Sequence, residues 1–216
     1  MPGRLYFSTY ARLHAAVSTG LIYPRSERAG LGAQRQRLLS DARGSTIELV
    51  GAFIGVNLPA YPADLDELVL VLRHPHMASR LRREVAASGR QAEIVECSDD
   101  RLPFPDNRFD TVVATLSLCL PTDVKPVLDE TARVLKPGGR LLFIEHVRSD
   151  QPRLARWQDR LAPAWRYLAI GCNCNRDTIH AIEQSGLRVE SVEHGVLPKL
   201  GPLVRPLVTG VAVPTA

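Results

Sequence analysis

An acid and an imidazole stand side by side two thirds of the way along the chain. Glu145 and His146 directly follow the apolar residues 141–144, so a strand would carry both to its carboxyl end. A carboxylate and a histidine are side chains that often move a proton at neutral pH. His14 and Asp177 are further candidate bases. These side chains are therefore candidates for a catalytic base, with His146 the first choice, and the alternative that each is only structural stays open.

A short predicted strand at residues 47–50, of which three of four residues are apolar, leads into a loop that contains glycines. Gly51 and Gly55 have no Cβ, so a ligand could approach the backbone closely at these positions. Between them, Phe53 places a benzyl group in the loop. Its ring would either enter a ligand pocket or turn into the core.

Apolar strands alternate with helical stretches along the chain, which predicts βαβ units and a doubly wound, mostly parallel α/β sheet. We expect one domain of seven strands, with an amino-terminal helical lid over residues 1–43 and an insertion over residues 148–175 beside the active site. The predicted strands are 47–50, 68–72, 93–96, 109–116, 140–147, 188–193 and 204–213, and the main predicted helices are 75–88, 123–135 and 176–184.

The composition argues against several functional classes. No apolar run approaches the ~18 residues of a membrane span, and no signal peptide is predicted at the amino terminus. The 27 Lys and Arg exceed the 23 Asp and Glu by four, but they are spread along the chain without interleaved aromatics, which disfavours nucleic-acid binding. Cys172 and Cys174 lack a second pair at zinc-ligand spacing. We therefore expect reduced thiols, no metal and a cytoplasmic protein.

Two motifs resemble those of class I S-adenosylmethionine (SAM) methyltransferases, specifically the small branch related to ubiquinone and menaquinone biosynthesis. Leu102–Asp110 reads LPFPDNRFD and resembles the LPFPD..FD signature of that branch. Val134–Leu142 reads VLKPGGRLL and is similar to its LKPGG.L turn before the fifth strand. The resemblance covers about residues 35–212. It implies the Rossmann-like fold of that family, and methyl transfer from SAM to a small apolar substrate.

The resemblance also implies where SAM would bind. In a doubly wound sheet, ligands lie outside the carboxyl ends of the strands, beside the first strand. Comparison with the family assigns one set of positions to the amino-acid part of SAM and others to its ribose, adenine and sulfonium. The amino-acid part corresponds to Gly51, Phe53 and Gly55, and the ribose corresponds to Leu72. The adenine corresponds to Ser98 and Asp99, and the sulfonium corresponds to Leu116.

The chain departs from the family pattern in the first loop and the second strand. Leu49 and Leu72 stand where the family usually has acids, and Phe53 replaces a glycine. A hydrogen bond to a charged group contributes ~1.5–3 kcal/mol, so loss of the ribose acid would weaken SAM binding. Glu48 could replace the acid at Leu49 if the strand slipped by one residue, but a slip would reverse every side chain in the strand. Two alternatives to methyl transfer stay open: a cyclase or isomerase that no longer uses SAM, and a non-catalytic partner of another methyltransferase.

Aromatic residues of the amino-terminal segment and the insertion are predicted to cover the site and bind an apolar substrate, with core packing as the alternative. No nearby sequence feature predicts a lowered thiol pKa at Cys172 or Cys174, so neither is expected to be a nucleophile. The predicted partners are a small-molecule substrate and either a second copy of the chain or a partner methyltransferase. The candidate substrate-binding residues are Tyr6, Tyr10, Trp157, Trp165 and Tyr167.

Overall fold

A seven-stranded sheet organises the computed structural model, which describes residues 23–51, 53–169 and 171–215. The strand order is β3-β2-β1-β4-β5-β7-β6, and β7 pairs antiparallel with both of its neighbours while the other pairings are parallel. The predicted doubly wound, mostly parallel sheet is confirmed. The strands are β1 Ser45–Leu49, β2 Glu67–Val71, β3 Glu93–Val95, β4 Phe109–Thr115, β5 Leu135–His146, β6 Leu187–Val196 and β7 Pro206–Pro214.

Helices pack on both faces of the sheet and bury two apolar cores. Side chains along β1 alternate between the two cores, because successive side chains of a strand point to opposite faces of the sheet. Ile47 and Leu49 join the core under the helix that follows β4, and Val50 joins the core under the helices that precede β1 and follow β2. The helices are α1 Tyr23–Ser26, α2 Gly32–Leu39, α3 Ala78–Ser88, α4 Lys125–Val134, α5 Pro152–Leu168 and α6 Thr178–Glu183, with a π-helical turn at Glu27–Leu31 between α1 and α2.

The LKPGG segment differs from the predicted turn. It lies within β5, which begins at Leu135 rather than at residue 140. Gly138 adopts a φ of +77°, a left-handed conformation that glycine tolerates. The pairing of β4 with β5 shifts register between Phe109 and Thr111. The chain therefore bends here without leaving the sheet.

The segment predicted as an insertion contains the 17-residue helix α5. Gln158 attaches this helix to the end of the sheet and is fully buried. Its Nε2 lies within hydrogen-bond distance of the carbonyls of Val147 (3.1 Å), Cys174 (2.9 Å) and Leu203 (2.8 Å), which share its two N–H donors. Its Oε1 accepts from the backbone N–H of Ser149 at 2.7 Å. One amide therefore connects the end of β5, the segment after α5 and the loop before β7.

None of the helices in the described ranges has the length and apolar character needed to cross a bilayer.

Replacing Gln158 with leucine should destabilise the fold, because Leu fills the space but leaves buried backbone groups without a partner. We expect the free energy of unfolding to fall by about 2 kcal/mol or more in urea denaturation. Arg160→Gln, on the exposed side of the same helix, is the matched control and should change it by less than about 0.5 kcal/mol. Equal stability of the two variants would contradict an anchoring role for Gln158.

Candidate active site

A buried carboxylate lies at the carboxyl end of β1. Glu48 is 3% exposed, and its Oε2 accepts a hydrogen bond from the Tyr61 hydroxyl at 2.7 Å. Burial raises the pKa of Glu48 above its usual range, and burial together with the adjacent Glu48 raises that of Tyr61. The strand shows no slip: both faces of β1 are buried, so Glu48 and Leu49 each point into one of the two cores in the observed register.

A polar cluster lies beneath the loop that follows β1. Arg35 of α2 is 2% exposed and donates to Asn57, to Thr115 Oγ1 at 3.2 Å and to Glu27 Oε1 at 3.2 Å. Asn57 Nδ2 donates to the same Thr115 hydroxyl at 2.9 Å. The Arg35 guanidinium also donates to the Tyr23 hydroxyl. The cluster holds the glycine loop, the end of β4 and the helix before β1 in one arrangement.

The glycine loop lies directly against the end of β4. A Cβ added at Gly51 would be 2.6 Å from the carbonyl oxygens of Thr115 and Leu116, so only glycine fits. Gly55 has a φ of +77°, which favours glycine as well. Phe53 is partly buried against the core and stacks on Tyr23 with ring centroids 4.0 Å apart. Its ring therefore packs with an aromatic of α1.

The ends of β2 and β3 carry the other predicted SAM positions. Leu72 is 2% exposed and belongs to the apolar core. Arg73 and Asp99 form an ion pair, and burial raises the pKa of Asp99 although Arg73 acts in the opposite direction. Ser98 is exposed and donates to Asp100. At the predicted adenine side, the buried acid is therefore Asp99.

Glu145 fixes the loop that follows β4. It is fully buried, and its Oε1 accepts hydrogen bonds from the backbone N–H groups of Ser117 and Leu118, both at 2.7 Å. Burial raises its pKa to about 7. Leu116, the predicted sulfonium neighbour, is 3% exposed with a φ of +51°. Glu145 is thus placed to hold backbone at the end of β4.

His146 lies among sulfur atoms. Its Nε2 is 3.1 Å from Cys172 Sγ, and Cys119 is the third member of a buried group whose candidate ligand atoms all lie within 4.8 Å of one another. Trp165 Nε1 donates to Cys172 Sγ at 3.2 Å. The three residues come from the end of β5, the loop after β4 and the segment after α5. They meet at the carboxyl edge of the sheet, where ligands of this fold type bind.

The electrostatics of this group contradict the expectation for Cys172. A hydrogen bond from Cys119 and the nearby His146 outweigh burial and hold the pKa of Cys172 well below its usual range. The same hydrogen bond raises the pKa of Cys119. Burial alone would lower the pKa of His146, but the Cys172 sulfur outweighs it and raises that pKa. The neighbouring Cys174 behaves as predicted, since burial raises its pKa to about 11.

The predicted aromatic residues separate into three groups. Trp165 is partly buried beside Cys172. Trp157 and Tyr167 are 57% and 49% exposed, on the outer surface of α5. Tyr6, Tyr10 and His14 lie outside the described residues.

Asp177 accepts a hydrogen bond from the His180 backbone N–H at 3.1 Å, which is the helix-capping alternative.

Comparison with known proteins identifies the family. The profile of a family described as a methyltransferase domain matches residues 50–143. The human thiol S-methyltransferase TMT1A is 31% identical over 168 residues, which cover 76% of this chain and 68% of that protein. The ubiquinone/menaquinone biosynthesis C-methyltransferase UbiE of Escherichia coli is 30% identical over 183 residues, covering 76% and 70%. The chain belongs to the class I SAM-dependent methyltransferase family.

The resemblance predicted from the LPFPD and LKPGG motifs is therefore confirmed, and so is methyl transfer as the leading function. Among solved structures, the [4+2]-cyclase SpnF has a TM-score of 0.67 at 16% identity, covering 85% of this chain and 82% of that one. At that identity the likeness shows the shared fold alone.

The sequence does not single out Cys119, which the structure places in one buried group with His146 and Cys172. Cys119 had no recognisable spacing to Cys172, since 52 intervening residues separate them in the chain. A signal was available for Cys119: it follows the predicted sulfonium neighbour Leu116 in the loop after a central strand, where this fold binds ligands.

Changing Glu48 to Gln should alter how stability depends on pH. The folded-state pKa of Glu48 is raised, because burial favours the neutral acid. Its contribution to the stability of the fold is therefore lowest once pH exceeds that pKa. The increase in the free energy of unfolding caused by Glu48→Gln should therefore be small below the pKa of Glu48 in the unfolded chain, about 4.3. It should grow as pH rises through the raised pKa of the folded state. Chemical denaturation between pH 4 and pH 8 measures it.

Glu130→Gln is the control of opposite sign. Its hydrogen bond with Arg133 lowers the pKa of Glu130, so the stabilisation is present above the unfolded pKa and is lost as pH falls. The decrease in the free energy of unfolding caused by Glu130→Gln should be largest at neutral pH. A pH-independent effect of Glu48→Gln would contradict a buried, pKa-raised carboxyl at this position.

Replacing Gly51 with alanine should disturb the loop after β1, because the new methyl group would meet two backbone oxygens that cannot move aside cheaply. We expect a destabilisation of about 1–3 kcal/mol in thermal or chemical denaturation. Gly201→Ala is the matched control, since nothing lies within 4 Å of its added Cβ and its φ is −66°. Equal tolerance of both substitutions would refute close packing of this loop on β4.

Proposed function

We propose that this chain transfers a methyl group from SAM to the sulfur of a small, apolar thiol. The observation that carries the proposal is the buried group of Cys119, His146 and Cys172 at the ends of β4 and β5. Thiol S-methylation is the activity named for TMT1A, one of the relatives that share most of this chain. The relative UbiE is named as a C-methyltransferase, so methylation of a carbon is the alternative acceptor chemistry.

Several residues fit SAM at the carboxyl ends of β1 to β4. Gly51 and Gly55 provide a loop in which the backbone can approach a ligand. Glu48 and Asp99 supply buried carboxylates near the expected amino-acid and adenine ends. Leu72 offers no hydrogen bond to a ribose, so the chain would hold that part through other contacts. When bound, SAM supplies an electrophilic methyl group.

The residues on the acceptor side would promote methyl transfer by positioning the acceptor beside the methyl group, rather than by supplying a free base. Proximity and alignment of two reactants account for much of the rate of a group transfer. Glu145 fixes the backbone of Ser117 and Leu118 beside the predicted sulfonium position. His146 has its Nε2 directed at Cys172, so it is not free to act alone as the predicted base. Trp165 would give the acceptor an apolar wall.

The other functional interpretations have less support. A cyclase or isomerase without SAM is disfavoured because the two relatives named above both carry methyltransferase names. A non-catalytic partner role does not account for a buried cysteine and histidine group at the ligand edge. We retain a cytoplasmic location, and a homodimer or partner methyltransferase, as parts of the proposal.

Purified protein incubated with SAM and benzenethiol should yield methyl phenyl sulfide and S-adenosylhomocysteine in equal amounts, measured by mass spectrometry. Phenol, the oxygen counterpart, should give no methylated product. Calorimetric titration should detect binding of both SAM and S-adenosylhomocysteine, after carried-over ligand has been excluded.

The two measurements separate the possible failures. SAM binding without methylation of benzenethiol or 2-mercaptoethanol would refute the thiol acceptor but leave methyl transfer. No binding at millimolar SAM would refute SAM-dependent transfer by this chain.

A further inference from the structure

Cys119, His146 and Cys172 have the chemistry of a metal site. Two thiols and an imidazole are the donors that zinc prefers in proteins. Their candidate ligand atoms lie within 4.8 Å of one another, and His146 Nε2 is 3.1 Å from Cys172 Sγ. Around a tetrahedral zinc ion, sulfur atoms would be about 3.8 Å apart and sulfur and nitrogen about 3.6 Å. Small side-chain rotations would therefore bring all three donors to bonding distance.

The backbone around this group is already fixed. Asn173 donates from its backbone N and its Nδ2 to the Cys119 carbonyl, both at 2.9 Å, which joins the Cys172 segment to the loop after β4. Glu145 joins the same loop to β5, next to His146. Preorganised ligands need little rearrangement on binding. Each of the three ligand-bearing segments is thus tied to another.

The burial of the group fits a divalent cation bound by two thiolates. Cys119, His146 and Cys172 are 2%, 5% and 7% exposed, and the two cysteines belong to an apolar cluster. Buried thiolates are costly unless a positive charge compensates them. One Zn²⁺ with two thiolates and a neutral imidazole has no net charge. Trp165, which donates to Cys172 Sγ at 3.2 Å, would act as an outer hydrogen bond to a metal-bound sulfur.

We propose that Cys119, His146 and Cys172 bind one zinc ion whose fourth position takes the sulfur of the acceptor thiol. Zinc sites that act on substrates typically have three protein ligands and one exchangeable position. The acceptor would release its proton to water as its sulfur lone pair binds the metal, leaving a thiolate beside the methyl donor. The metal site stands on the geometry alone, whereas the role of the fourth position rests on the proposed thiol methylation.

Metal binding can be tested without any turnover. After dialysis against a chelator, the full chain should take up about one equivalent of Zn²⁺. Co²⁺ in its place should give the visible bands of a tetrahedral ion and a sulfur-to-cobalt charge-transfer band. Substoichiometric zinc, or cobalt without the charge-transfer band, would overturn the site. So would a Cys119–Cys172 disulfide in protein purified under reducing conditions.

Variants identify the ligands. Cys119→Ser, Cys172→Ser and His146→Gln should each raise the zinc dissociation constant about 100-fold or more, since even outer contacts to a metal site change affinity by 10–100-fold. Cys174→Ala is the matched control, because this buried cysteine lies outside the group and should leave zinc affinity unchanged. Circular dichroism checks each fold, and the cobalt spectrum of the unmodified chain decides the matter if a variant fails to fold.

Benzenethiol tests the fourth position. Added to the cobalt-loaded chain, it should shift and strengthen the charge-transfer band, whereas phenol should not. An unchanged spectrum would refute the acceptor as a ligand. Stoichiometric zinc without thiol methylation would refute the proposed function and leave the metal site, and methylation by fully metal-free protein would refute the metal's part in catalysis.

Discussion

The carboxylate of Glu145 accepts two backbone hydrogen bonds that the whole ligand edge depends on. Ser117 and Leu118 would otherwise present buried N–H groups with no strand to pair with, since β4 ends at Thr115. A charged or polar group held in the interior must be satisfied there. By capping these amides, Glu145 sets the course of the loop that carries Cys119, and it does so from the residue adjacent to His146.

Two side-chain amides extend this constraint to the rest of the site. Gln158 fixes α5 and the segment after it to the end of β5, and Asn173 fixes that segment to the loop after β4. Both amides bond mainly to backbone, so they constrain the course of the chain more than the identity of its side chains. The buried group of Cys119, His146 and Cys172 is therefore assembled from three segments that are far apart in sequence.

The sequence predicted the fold well because its signals are local. Strand-forming apolar runs, the LKPGG motif and the alternation of strand and helix are local signals, and together with the family resemblance they predict a mostly parallel, seven-stranded sheet. The site was predicted less well because it depends on pairing between distant segments. Cys119 and Cys172 meet only after α5 folds back, and no spacing rule links them. Glu48 lies one residue before the family's acid position and is nevertheless buried, because both faces of β1 are buried.

Trp165 gives the chain a built-in optical reporter. The protein has two tryptophans, of which Trp157 is 57% exposed and Trp165 donates its indole N–H to the Cys172 sulfur. Sulfur in contact with an indole changes its emission, and a partly buried indole such as Trp165 emits at shorter wavelength than a more exposed one such as Trp157. Any event at the sulfur group, whether a change of charge, oxidation or a new bond, would therefore register in the blue-shifted part of the intrinsic emission, with Trp157 as an internal reference.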